Sequence, residues 1–532
     1  MTEGRGLLRL RRFRDDGDRP RLPLMAAPST ETELKFRLGP GAVVGLSGHP
    51  ALQGPQTTQH LRSVYFDTPD GVLRAAGCGL RVRTTPDGFV QTLKRQAAPG
   101  QTARDEWEVP VASESLDLAA LKTTPAHKRL KGRRRDLSPR FAATVVRRIR
   151  MVDWDGARIE VAFDAGELSA IDPEGGDRRE PIYELELELK AGPPAALFTL
   201  ARRLARDLAI VPVFEKKSER GWRLAESESR SPRRAAPTPL SPEASTATAF
   251  RLIAMACLAQ VSANAELLRI VRRPEAVHQM RVALRRLRAA VGVFKPMLAD
   301  PGRERIEIEL KWLAREADAA RDLDVYIREV FHPAALEAPS PDLAQLGRHL
   351  LTARGRAYYR VLSAIASPRY ALLMLETTAW IETAALPDDP VAPFAAEALD
   401  RLNRHVEHRA RDLSGLDVEA RHSLRIRAKR LRYAAEFFAD LFPARRRRAR
   451  YLKALERVQD TLGALNDLAV ARDRIPVVAQ LDEAEVAFAA GRVIGRRERD
   501  EAALLAAGIK ACGRFHDARP FWTGRQSRQK RS

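Results

Sequence analysis

The sequence predicts a two-domain α+β protein, an antiparallel sheet domain followed by an all-helical one. Three observations predict it. Charged residues alternate with mostly apolar ones along Glu31-Thr32-Glu33-Leu34-Lys35-Phe36-Arg37-Leu38, and again along Glu184-Leu185-Glu186-Leu187-Glu188-Leu189-Lys190. Short alternating segments of this kind, separated by turn residues, recur from about residue 30 to residue 225. From about Thr246 to Thr523 apolar residues instead recur at spacings of three and four, in segments rich in Leu, Ala and Arg.

Residues 1–29 are rich in Arg, lack an apolar signal core and read as a disordered basic extension. No secretory signal is expected there, and Met25 offers an alternative start. Strands are expected at Ser63–Asp67, Leu80–Arg83, Val90–Lys94, Asp105–Val109, Val145–Val152, Arg158–Asp164 and Tyr183–Lys190. Thr68-Pro69-Asp70-Gly71, Pro86-Asp87-Gly88 and Asp155-Gly156 supply turns between them. Ala195–Leu208 reads as a helix outside the sheet. Residues 226–245, rich in Ser, Pro, Ala and Arg, read as a linker without apolar periodicity. Residues 246–523 form the helical domain, and residues 524–532 a polar basic tail.

The helical half repeats itself. His278-Gln-Met-Arg281-Val-Ala-Leu-Arg285-Arg286-Leu-Arg288 matches His422-Ser-Leu-Arg425-Ile-Arg-Ala-Lys429-Arg430-Leu-Arg432 at an offset of 144. Arg321-Asp322-Leu323-Asp324-Val325 matches Asn466-Asp467-Leu468-Ala469-Val470 at an offset of 145. Two motifs in one order at nearly one offset indicate a duplication, with two helical bundles related by a pseudo-two-fold as its product. With about 100° per residue, His278, Arg281, Arg285 and Arg288 fall within an arc of about 80°. Leu284, Leu287, Val291 and Phe294 lie well round from that arc and are expected in the core. The second copy sets His422, Arg425, Lys429 and Arg432 against Leu424, Leu431 and Phe438. Each bundle therefore offers one basic ridge, and the pseudo-two-fold can bring both to a common groove.

A net charge of +22 points to a polyanionic partner. Aromatic residues are only 6%, and no RRM, KH or zinc-finger spacing occurs, so no specific nucleic acid is expected. No uninterrupted run of about 18 apolar residues occurs, so no membrane span is expected. Three scattered cysteines, Cys78, Cys257 and Cys512, form no CxxC pair and fit a reducing compartment.

Successive strand side chains point to opposite faces. Glu31, Glu33, Lys35 and Arg37 therefore share one face, with Leu34, Phe36 and Leu38 on the other. Carboxylates and cations side by side can hold a metal ion and a polyanion together. A solvated, salt-bridged sheet face is the plainer reading of any one such strand.

Residues 30–225 resemble a CYTH domain, the triphosphate tunnel metalloenzyme fold. The resemblance is carried by Glu31-x-Glu33-x-Lys35, Tyr65-Phe66-Asp67-Thr68-Pro69, Gly79-Leu80-Arg81-Val82-Arg83, Thr92-Leu93-Lys94, Asp164-x-Gly166, Glu184-x-Glu186-x-Glu188 and Lys217-Ser-Glu-Arg220-Gly221-Trp222, in the family's order. It implies a closed eight-stranded antiparallel barrel with a charged lumen. Glu106, Glu108, Arg158, Glu160 and Asp164 would line that lumen with the residues named next. The resemblance implies Glu31, Glu33 and Lys35 as catalytic. It implies Lys35, Arg37, Arg81, Arg83, Lys94, Arg147, Lys217 and Arg220 as the triphosphate cradle. Glu31, Glu33, Glu184, Glu186 and Glu188 would hold Mg²⁺ or Mn²⁺. Asp67, Thr68 and Pro69 read as turn-forming. Related barrels cleave triphosphate, thiamine triphosphate or nucleoside triphosphates, or cyclise ATP. Those joined to a basic helical domain look most like inorganic triphosphatases.

Residues 246–523 resemble a CHAD domain, through the paired His-x-x-Arg-x-x-x-[Arg/Lys]-Arg-Leu-Arg segments and the later Asp-bearing pair. The resemblance implies inorganic polyphosphate bound by His278, Arg281, Arg285, Arg288, His422, Arg425, Lys429 and Arg432. The two histidines read as phosphate donors or local structure rather than metal ligands. Asp322 and Asp467 read as helix caps or Arg-orienting groups, and Arg445–Arg448 as a solvated face. The expected protein is a metal-dependent triphosphatase in the cytoplasm, at polyphosphate granules. The alternative is an adaptor that binds polyphosphate without turnover.

Overall fold

The computed structural model describes residues 32–95, 105–171, 178–298, 300–473, 475–480 and 483–523. Nine strands form one antiparallel sheet: β1 (Glu33–Leu38), β2 (Gln56–Asp67), β3 (Cys78–Thr85), β4 (Gly88–Arg95), β5 (Asp105–Val111), β6 (Ser138–Trp154), β7 (Ala157–Ala170), β8 (Arg179–Ala191) and β9 (Ile210–Pro212). Their order is β5-β4-β3-β2-β6-β7-β8-β1-β9. The expected eight-stranded closed barrel is corrected by this order: among the described residues there are nine strands, and no ladder joins β5 to β9. Both edge strands carry proline, Pro110 in β5 and Pro212 in β9, which has no N–H to give a further ladder.

Local chemistry accounts for the hairpins. Asp155 and Gly156 both take positive φ, 46° and 75°, between the register partners Trp154 and Ala157. That is the backbone of a two-residue turn whose twist matches the strands. Asp67 is fully buried, and its carboxylate accepts from the backbone N–H groups of Thr68 (2.8 Å), Leu73 (2.9 Å) and Arg74 (2.8 Å). It builds the turn after β2.

One face of the sheet is dry. Leu34, Phe36 and Leu38 join Ile159, Val161, Phe163, Leu185 and Leu187 against the helix Pro194–Asp207. The other face carries the alternate, charged residues. The helix Lys217–Ala225 lies across part of it, with Trp222 packed edge-on to Phe141 at a centroid distance of 5.3 Å. Gly221 permits this approach, because a Cβ there would stand 2.1 Å from the Phe141 ring.

Beyond residue 245 the described chain is helical around one apolar core. The two repeated segments form the helices Pro274–Phe294 and Val418–Phe437. Leu284, Leu287, Val291 and Phe294 are fully buried, as are Leu424, Leu431 and Phe438. The helix Thr246–Ile270 is long and apolar enough to cross a membrane by length and composition, but most of that stretch is buried inside the helical domain.

The expected linker is tied down. Leu240 and Ala244 enter the helical core. The Arg233 carbonyl accepts from the Asn264 amide at 2.9 Å and from Gln260 at 3.2 Å, and the Arg233 N–H donates back to Asn264 at 3.1 Å. Asn264 and Gln260 are buried, and these backbone groups complete their pairing beside the Gln260 carbonyl, which accepts from Asn264 at 2.8 Å, and Gln279, which accepts from Gln260 at 3.2 Å. The two domains also share a packed seam. Leu375 and Ala379 of the helix Pro368–Thr383 enter the sheet domain's core, and Arg202 grips Glu376 with a two-pronged contact of 2.6 and 3.0 Å.

Candidate functional site

Cross-strand register builds the charged face. Glu33, Lys35 and Arg37 of β1 stand opposite Glu188, Glu186 and Glu184 of β8. Glu184 stands opposite Asp164 of β7, and Asp164 opposite Arg147 of β6. Arg147 forks onto Asp164 with two contacts of 2.7 Å and reaches Glu186 at 2.6 Å. Lys35 Nζ lies 3.1 Å from Glu33 and 3.3 Å from Glu186. Lys217 Nζ comes from the covering helix and meets Asp164 at 2.7 Å, Glu186 at 2.7 Å and Glu184 at 3.0 Å. Burial opposes the charge on Glu186, yet Lys217, Lys35 and Arg147 together hold its carboxyl well below the usual range. Asp164 is likewise lowered against its burial, by Arg147 and Lys217. Lys217 is raised by Glu186, Asp164 and Glu184, which outweigh its own desolvation.

Glu33 behaves differently. Burial, helped by Glu186, pulls its carboxyl up despite Lys35. Glu188 binds Lys190 at 2.6 Å, and Lys190 also reaches Glu160 at 3.4 Å. Glu33, Glu188 and Glu160 stand at one level across β1, β8 and β7. Their hard oxygens suit a divalent ion. Among the described residues, however, no three acidic, histidine or cysteine side chains converge on one point, because lysines stand between them. Glu184 and Glu186, expected as metal ligands, are instead engaged by Lys217, Arg220, Lys35 and Arg147. Glu31 lies outside the described residues.

Across the same face the balance reverses. Arg83 donates to Ser63 at 2.9 Å and its ionisation is lowered to about 10, by burial first and then by Arg81. Arg81 Nε is buried without a hydrogen-bond partner. Tyr65 was not singled out as a site residue by sequence reasoning, although its motif was. Its ring stacks on Phe141 at 4.4 Å, and burial raises its phenol less than Arg81, Arg83 and Lys217 lower it. Lys94 pairs with Glu106 at 2.9 Å. Arg220 is held by Glu180 at 2.7 Å, the Pro181 carbonyl at 2.6 Å and Glu184. Arg37 leaves the cluster for Glu266 of the helical domain, 2.7 Å away.

The second site lies where the repeated helices meet. Arg285 Nε reaches the Tyr433 hydroxyl at 3.5 Å. Lys429 is lowered to about 6 by burial and by Arg425, Arg285 and Arg281, which places both ridges in one field. Arg281 is bound by Asp318 and by the Ala317 carbonyl at 3.3 Å, and Arg425 faces Asp467 at 3.8 Å. Burial, followed by Arg321, lowers His278 to about 4, and His422 Nδ1 lies 2.5 Å from Asn466 Oδ1. Arg288 is exposed, and Arg432 turns to Glu436 at 3.2 Å. Sequence reasoning missed Arg321, whose motif was read for its aspartates. It also missed Arg286, which sits buried over the Phe437 ring at 4.8 Å and pairs with Glu436.

The CYTH domain family model matches residues 29–221, and the CHAD domain model matches residues 252–476. A curated relative, an inorganic triphosphatase of Haemophilus influenzae, is 29% identical over 209 residues, 37% of this chain and 56% of that protein. The chain thus spans little more than half the length of that relative. Among solved structures, a CHAD domain from the plant Ricinus communis is 31% identical with a TM-score of 0.49, covering 54% of this chain and 97% of that one. A Hippeastrum protein described as having a dominant triphosphatase activity is 17% identical with a TM-score of 0.25, covering 36% of this chain and 94% of that one. Both family matches fall on the regions just described, in the order sheet then helices, and the chain therefore joins a CYTH domain to a CHAD domain.

Proposed function

We propose that the chain is a metal-dependent inorganic triphosphatase that hydrolyses a phosphoanhydride bond on the charged face, and that its helical domain binds inorganic polyphosphate. The observation that carries the first part is the pair Arg81 and Arg83. Both lie beside the carboxylate-rich cluster and share the Tyr65 phenol. Burial and then Arg81 lower Arg83, while Tyr65 and Asp164 favour its charge, and Arg81 Nε is buried without a hydrogen-bond partner. Cations held this way call for an anion, and planar guanidinium forks suit phosphate oxygens. The likeness to a curated inorganic triphosphatase supports the same substrate class.

In this reading Arg81 and Arg83 grip one end of the triphosphate, and Lys35, Arg147 and Lys217 face the other. A bound Mg²⁺ or Mn²⁺ supplies charge neutralisation along the phosphates, with Glu33, Glu188 and Glu160 as the oxygen donors that would hold it. Water forms the new P–O bond as the bridging P–O bond breaks, so its proton needs an acceptor. Glu33, whose carboxyl burial raises, is the acceptor this reading assigns, and Tyr65, whose phenol Arg81, Arg83 and Lys217 lower against its burial, stands on the arginine side. Phosphate release from tripolyphosphate with Mg²⁺ or Mn²⁺ tests the reading. Glu33→Ala and Lys35→Ala are each expected to lower kcat by about a hundredfold or more.

The second reading, an adaptor without turnover, is favoured by the engagement of Glu184, Glu186 and Glu188 with Lys and Arg partners. Polymer binding by purified protein that releases no phosphate above background would select it. For the helical domain, Arg281, Arg285, Arg425, Lys429 and Arg321 support a polyphosphate groove. Affinity there falls steeply as salt rises, through counterion release.

A further inference from the structure

We propose that Glu266, a residue of the helical domain, sets the affinity of the charged face for triphosphate by holding Arg37. The inference rests on the triphosphatase reading. On β1, alternation puts Arg37 in line with Glu33 and Lys35. Its cross-strand partner is Glu184, but Glu184 is already bound by Lys217 at 3.0 Å and by Arg220. Burial comes first in lowering Arg37 to about 10, followed by the cations Arg269, Arg220 and Arg230. The carboxylate that balances it is Glu266, at 2.7 Å, on the helix Thr246–Ile270.

That carboxylate is held in place. Glu266 is largely buried, and its helix packs through Phe250 on Trp380, ring centroids 5.5 Å apart, of the helix Pro368–Thr383, whose Leu375, Glu376 and Ala379 meet the sheet domain. Lys35, Arg147 and Lys217 each hold two or three carboxylates of their own domain. Among the described residues Arg37 pairs with one carboxylate, from the other domain. A triphosphate entering the face must therefore draw Arg37 off Glu266 and tolerate the Glu266 charge. Both effects weaken binding, so the helical domain acts as a competing anion. Linkage makes the effect reciprocal: triphosphate loosens the Arg37–Glu266 contact to the same degree.

Calorimetric titration of the full-length protein with inorganic tripolyphosphate tests this, with divalent metal withheld so that the ligand is not consumed. The component that Lys35→Ala removes reports the charged face rather than the helical groove. Glu266→Gln is expected to tighten that component by roughly fivefold or more, while Glu266→Asp stays near wild type. In an Arg37→Gln background the Glu266→Gln effect is expected to vanish. Unchanged or weaker binding in a Glu266→Gln protein with a wild-type unfolding temperature overturns the inference. So does the same tightening with Arg37 already replaced. Absence of any wild-type tripolyphosphate binding at the charged face removes this inference together with the triphosphatase reading, whereas binding indifferent to Glu266 removes this inference alone.

Discussion

Lys429 ionises near pH 6 because burial and three guanidinium groups, those of Arg425, Arg285 and Arg281, oppose its charge and outweigh Asp467, which favours it. In the unfolded chain a lysine ionises near pH 10.4. Between those two values the unfolded state binds more protons, so Lys429 lowers stability at neutral pH and the penalty grows as pH falls toward 6. Stability therefore climbs with pH across that window, by the linkage sign. A polyanion in the groove restores the proton. Polyphosphate binding at pH 7 should take up close to one proton, read from binding heats in buffers of different ionisation enthalpy, and affinity should decline as pH rises above about 6. Lys429→Met should abolish the uptake, weaken binding and raise the unfolding temperature. The periodicity of His278-x-x-Arg281 and its repeat made the two ridges legible from sequence. The depth of burial that neutralises Lys429 was not, because it depends on how two helices 144 residues apart meet.

At the scale of elements, the helix Lys217–Ala225 brings Lys217 into the carboxylate cluster and packs Trp222 on Phe141. Gly221 is the residue that allows it. Gly221→Ala should press a methyl group into the Phe141 ring and cost about 1–3 kcal/mol, measured by chemical denaturation. It should also reduce phosphate release, since Lys217 opens the same helix. Strand β1 was legible because its period of two needs no tertiary knowledge, and the Asp155-Gly156 turn was legible because few residues accept its backbone. The edges were harder. Pro110 and Pro212 mark β5 and β9 as terminal strands, but Pro212 lies in a three-residue element too short for alternation to register. Leu240 and Ala244 were read as linker because the surrounding Ser, Pro and Arg hide two isolated core positions.

For the whole molecule, the seam decides whether two domains behave as one. Its contacts join residues far apart in sequence, Arg37 to Glu266 and Arg202 to Glu376, and no local pattern announces such pairs. A packed, partly apolar seam predicts a single thermal transition for the full chain, with both domains melting together. Leu375→Asn combined with Glu376→Ala should split it into two transitions by scanning calorimetry. A wild-type protein that already shows two would mean the seam contributes little to cooperativity.

The segment between the domains also limits how the protein can be divided. A fragment begun at Thr246 would leave behind Leu240, Ala244 and the Arg233 backbone that Gln260 and Asn264 bind. Such a truncation would bare a dry hole and leave two buried amides each one partner short on its first long helix, and would invite clumping during purification. Cutting before residue 230 keeps that strap with the helices it serves.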